Sequence, residues 1–203
     1  MHAAEPALSP DERNAMPLTA VLVPTYINLL RALSGWLGKA KAQLPEAEAE
    51  ALLLAGLAPD MFPLSTQIRF ACVQAQEAVH RLQGLPMPAL IGELLDEGRG
   101  ASETPGSLAD AQARIDETVA VLAALSPTAL DMNLESPLAH ELPNGMIFDL
   151  TAEQYARDWT VPQFYFHVMT AYAILRSRSV ELGKADYIPH LLPYLRPTAT
   201  PDA

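Results

Sequence analysis

Cysteine is nearly absent: Cys72 is the only one in 203 residues. A lone thiol closes no internal disulfide, so the fold has to hold without covalent staples. Long apolar runs are missing too. Half the residues are hydrophobic, yet no uninterrupted stretch nears the roughly 18 residues a membrane span needs. Basic residues are scarce, 13 Lys and Arg against 24 Asp and Glu, giving a net charge of -11. The resulting field repels phosphate backbones and anionic lipid, which excludes nucleic-acid and membrane-surface partners. There is no glycine-rich phosphate loop, Cys-x-x-Cys, His-Glu-x-x-His or Gly-x-Ser-x-Gly, so the common catalytic signatures are excluded. Met1 to Ala15 lacks the basic start and apolar core of a secretory signal. With the single cysteine, this leads to the expectation of a cytoplasmic protein.

What is present is helical periodicity. At 22.0 kDa the chain suits one domain. Residues 1–15 show no period and are expected to be a loose tail, 16–190 to be the folded bundle, and 191–203 to be a C-terminal tail. Apolar positions from Tyr26 through Leu29, Leu30, Leu33, Trp36, Leu37, Ala40 and Leu44 form one helical face. Pro45 opens a short acidic helix to Leu54. Leu64 to Leu82 is a second long helix closed by Gly84. The Pro- and Gly-rich stretch 85–106 predicts a loop with one helical turn at Leu90 to Leu95. Ser107 and Asp110 form a capping pair that starts a third helix, whose stripe is Leu108, Ala111, Ile115, Val119, Leu122 and Leu125.

The stretch from Leu138 to Leu150 is different. Pro143-Asn144-Gly145 divides two short runs, and Asn-Gly supplies the positive φ angles of a tight turn, which predicts a two-stranded ribbon. Thr151 and Gln154 give a capping box for a fourth helix, bent at Pro162 and continuing to about Ser179. Four amphipathic rods bury their stripes only against one another. The fold class is therefore all-α: an antiparallel four-helix bundle with a small β-hairpin inserted before the last long helix.

Of the five histidines, His2 lies in the tail, His140 in the ribbon and His190 in the proline-containing end, and none of these is assigned a role. His80 falls off the apolar stripe and is expected in solvent. His167 shares a helix face with Gln163, Thr170, Ala171 and Ile174. An imidazole there requires a hydrogen-bond partner or a cavity. Cys72, among apolar neighbours in mid-helix, packs as a small hydrophobe, with nothing local to activate the thiol.

Leu57-Ala58-Pro59-Asp60-Met61-Phe62-Pro63-Leu64, Phe164-Tyr165-Phe166-His167 with the residues that follow to Arg176, and Leu182-Gly183-Lys184-Ala185-Asp186-Tyr187 together resemble an uncharacterised bacterial family within the DinB/YfiT-like four-helix-bundle superfamily. The resemblance spans about Met16 to Ile188. It implies a divalent-metal site built from one histidine of the second helix and a His-x-x-x-His pair of the last, used by some members for thiol S-transfer. Laid on that pattern, His167 takes the second position of the pair, Gln163 the first, and Gln67 falls near the helix-two position. Two of three imidazoles become neutral amides, which are weak ligands for a transition metal.

The leading expectation is thus a bundle without metal or cofactor, able to pair as a homodimer, that binds a small molecule or a partner in a cavity near Gln67, Gln163 and His167. The alternative is a divalent-metal-dependent transferase or hydrolase in which His167 keeps one metal bond. Acid–base catalysis by His167 without metal is a further option, as is a purely structural dimerisation unit.

Overall fold

Helix α1 runs from Leu18 to Gln43 in a computed structural model that describes residues 17–131 and 133–196. The expected N-terminal tail, 1–15, lies outside the described residues, as does 197–203. The apolar stripe expected from Tyr26, with Pro24 near the helix beginning, belongs to a helix that starts earlier, at Leu18, with Pro24 inside it, and the reason is tertiary. Pro17 caps nothing, but one carboxylate oxygen of Asp131 accepts from both the backbone N–H (2.9 Å) and the hydroxyl (2.8 Å) of Thr19. That oxygen satisfies a first-turn donor from 112 residues away, which no local pattern encodes.

The other elements are α2 (Glu46–Ala51), α3 (Leu64–Leu82), α4 (Ala89–Gly100), α5 (Leu108–Ala123), β1 (Pro137–Glu141), β2 (Ile147–Thr151), α6 (Ala152–Gln154), α7 (Val161–Ser177) and α8 (Lys184–Tyr187). A 3₁₀ turn, Leu52–Leu54, follows α2, and another, Pro189–Tyr194, follows α8 and crosses the boundary expected at 190. The long rods α1, α3, α5 and α7 form the bundle, and α4 packs along α3. By length and composition alone α1 could cross a membrane. Its apolar residues Leu22, Tyr26, Leu30, Leu33 and Leu37 are buried in this core.

Three expectations change in detail. Residues 85–106 hold not one turn but the whole of α4, whose Ile91 and Leu94 are buried. Its flanking prolines and internal glycines lower helix propensity, and packing on α3 overrides them. Gly98 is required by a close approach, since a Cβ there would lie 2.5 Å from the Phe70 ring. In the ribbon, only Gly145 has positive φ. Its N–H bonds back to Leu142 C=O (2.9 Å) while Leu142 N–H bonds to Met146 C=O (2.8 Å). This is a longer hairpin loop with glycine in the left-handed position rather than an Asn-Gly two-residue turn.

The third change is at Pro162. Thr151 and Gln154 do form the capping box. The helix then widens into a π-helical segment, Tyr155–Thr160, and Pro162 sits in the first turn of α7. The Val161 N–H bonds to Ala156 C=O, five residues back. The chain thus meets the proline by a change of register, with no break in helical backbone angles. Thr160 ties this segment to α1: its hydroxyl lies 2.8 Å from the Tyr26 hydroxyl and donates to Ala156 C=O.

Candidate functional site

A cleft of about 1020 Å³ opens between α3, α4, α7 and the hairpin. Phe62, Phe70, Phe166 and Trp159 give it aromatic walls, and Glu77, Arg81, Arg99, His140 and His167 supply polar groups. It exists because the hairpin lies over the α3–π-helix side of the bundle, where His140 of β1 packs on Trp159 and Tyr155.

His167 is buried, and its Nδ1 lies 2.9 Å from Gln67 Oε1. The amide's orientation follows from its other end. Gln67 Nε2 is 3.1 Å from the Phe62 carbonyl, which can only accept, so the amide nitrogen must face it. Gln67 Oε1 is then the acceptor and His167 Nδ1 carries the proton. Nε2 keeps its lone pair, bonds to no described residue, and belongs to a ring that forms part of the cleft wall. Phe70 and Phe166 stand edge-on to the imidazole at 5.4 and 5.3 Å between ring centres. Burial holds its pKa down at about 4, so at neutral pH it is an uncharged hydrogen-bond acceptor.

Gln67 and His167, one hundred residues apart, are thus joined. Gln67 sits behind the imidazole rather than in the cleft wall. Gln163 is half-buried, lies outside the lining of the cleft and has no side-chain hydrogen bond among the described residues. The cavity expected around all three is therefore lined by His167 alone of the set.

The divalent metal implied by the resemblance can be tested against this donor set. The Gln67 oxygen is already used in accepting from His167, and Gln163 brings a second neutral amide from outside the wall. Among the described residues there is no group of three or more His, Cys, Asp and Glu placed to hold a metal ion. The residues present do not fit such a metal.

The side chain missed in the sequence is His140. It is 3% exposed, lines the cleft from β1, and neither ring nitrogen has a partner among the described residues; the Trp159 indole N–H beside it has none among them either. Strand alternation, which sets Leu138 and His140 on one face, was the available signal. His80, expected in solvent, is half-buried, its Nδ1 sealed and without a partner among the described residues, because α4, α5 and α7 cover most of α3. Cys72 is buried, and burial pushes its thiol up to about 12, which removes it from nucleophilic chemistry at neutral pH.

The motifs behind the resemblance divide between packing and cleft. In Leu182 to Tyr187 the Asp186 carbonyl accepts from the Trp36 indole (2.8 Å), its carboxylate pairs with Lys39 (2.6 Å), and Tyr187 stacks on Trp36. That motif fastens α8 to α1. Phe62 and the Phe166-His167 pair build the cleft.

Among known proteins, the family described as a domain of unknown function, DUF1993, matches residues 18–188. A crystal structure of a DinB family member protein from Shewanella denitrificans is similar at 28% identity and a TM-score of 0.67, over 92% of this chain and 94% of that one. No curated protein matches.

Proposed function

We propose that this chain, which belongs to the DUF1993 family of DinB-like bundles, binds a small amphipathic molecule in the cleft between α3, α7 and the hairpin, without a metal. The observation that carries this reading is the His167–Gln67 pair: an imidazole held as the Nδ1–H tautomer, its Nε2 bonded to no described residue, in a ring that lines an aromatic-walled cleft. A neutral acceptor on an apolar wall selects a ligand with a hydroxyl or N–H on an apolar body. Holding the ring by a neutral amide keeps it uncharged; a carboxylate in place of Gln67 would favour imidazolium instead. A metal-dependent transferase or hydrolase would need further ligands that this donor set does not offer.

The test uses ¹⁹F NMR with two probes of similar size, 4-fluorophenol and fluorobenzene. The phenol should bind about three- to tenfold more tightly, the ratio of one neutral hydrogen bond. His167→Phe should abolish that preference while leaving weak binding of both rings. Equal affinity of the two probes for the wild type, or no saturable binding of either, refutes the reading.

A further inference from the structure

Among the described residues, three nitrogens of two rings that line the cleft have no partner: His140 Nδ1 and Nε2, and Trp159 Nε1. Buried polar groups are paired almost without exception, so three orphans in contact call for an explanation. Their rings lie 4.3 Å apart between centres, tilted by 57°. A leucine and a phenylalanine would fill the same space with no such cost. Arg81, bonded to Glu77 at 2.7 Å, contributes to the same wall.

We infer that His140 and Trp159 form the carboxylate-recognising end of the cleft, which takes an organic monocarboxylate whose apolar body lies against the aromatic walls. This rests on the reading of the cleft as a ligand site and names the ligand's chemical class. A carboxylate has only acceptors to offer, and this wall offers an indole N–H and at least one imidazole N–H. The remaining imidazole nitrogen takes up a proton as the anion arrives, so the bond becomes charge-assisted. All three nitrogens are sealed from solvent. Ligand entry therefore requires the hairpin to ease outward. A two-stranded ribbon is marginal by itself, which makes that movement cheap.

The probe is 4-fluorophenylacetate, compared with 4-fluorophenylacetamide, titrated by ¹⁹F NMR and by ¹⁵N spectra of the two tryptophan indoles. The sequence has only Trp36 and Trp159, and Trp36 is already bonded to the Asp186 carbonyl. On binding, the Trp159 N–H cross-peak should move downfield while that of Trp36 stays. The carboxylate should bind about tenfold more tightly than the amide. Trp159→Phe should remove most of that ratio, and His140→Phe is the second variant should the first fail to fold. If the carboxylate binds no more tightly than the amide, or the Trp159 peak stays still, while 4-fluorophenol binds at His167, the inference falls and the cleft reading stands. Binding of none of the probes overturns both.

Discussion

The His167 imidazole and the Gln67 amide meet at 2.9 Å across the α3–α7 interface, and the amide is itself held by the Phe62 carbonyl. The relay Phe62–Gln67–His167 fixes a tautomer and a ring orientation with neutral groups only. Replacing its middle member separates orientation from packing. Gln67→Leu keeps the volume but strands the His167 Nδ1–H, at a cost of about 1–3 kcal/mol. Long-range ¹H–¹⁵N spectra of the imidazole should change from a single Nδ1–H form to a mixture with Nε2–H. An unchanged spectrum would show that Gln67 does not set the tautomer.

Protonation of His167 should couple to folding. Its pKa is about 4 in the fold against 6.5 for the free side chain, because burial disfavours the charged ring. Above 6.5 both folded and unfolded chains hold it neutral. Between 6.5 and about 4 the unfolded chain takes the proton and the folded one does not, so stability is lost as pH falls, by ~3 kcal/mol in all. Burial lowers His140 and His80 as well, in the same sense. Urea titrations at pH 7.5 and 4.5 should show this loss, and His167→Gln should reduce it. A pH slope identical in wild type and variant would contradict the assignment.

How far this was legible in the sequence depends on where each signal resided. The long helices α3 and α5 carried local signs, an apolar period with a glycine stop or a capping box, and local signs survive folding. Helix α4 was hidden because its glycines argue against a helix, while Gly98 is there to admit the Phe70 ring. His167 was singled out from its helix face and Gln67 from the family pattern, and the structure joins the two by a hydrogen bond. Gln163 shares a helix face with His167 yet lies outside the wall that His167 lines, because sharing a face does not place a residue in the same wall. His140 was passed over because strand alternation puts it on the inner face with Leu138 but does not say what that face covers, which is Trp159 and Tyr155.

Gly98 offers a steric control on the cleft. A Cβ at this position would stand 2.5 and 2.8 Å from Phe70 ring atoms, so Gly98→Ala must push that ring, which lines the cleft beside His167. Overpacking of this kind costs about 1–3 kcal/mol. The variant should melt lower and should also weaken 4-fluorophenol binding. Gly92→Ala, in the same helix with open space at its Cβ, should do neither and should raise stability slightly. If Gly98→Ala lowered the melting temperature and left probe affinity untouched, Phe70 would not shape the site.

Chelation tests the reading that the bundle works without a metal. The neutral amide at Gln67 is spent on His167, so of the three positions in the family's ligand pattern only His167 Nε2 is left as an open imidazole nitrogen. One such ligand holds zinc or nickel only weakly, whereas three in a preformed site couple metal binding to folding and raise stability by several kcal/mol. Tag-free protein treated with EDTA should therefore keep its melting temperature within about 1 °C, and adding equimolar zinc should shift it no further. His167→Ala should behave identically in both titrations. A zinc-dependent rise in melting temperature that disappears in His167→Ala would place a metal on this imidazole and remove the basis for a purely organic ligand.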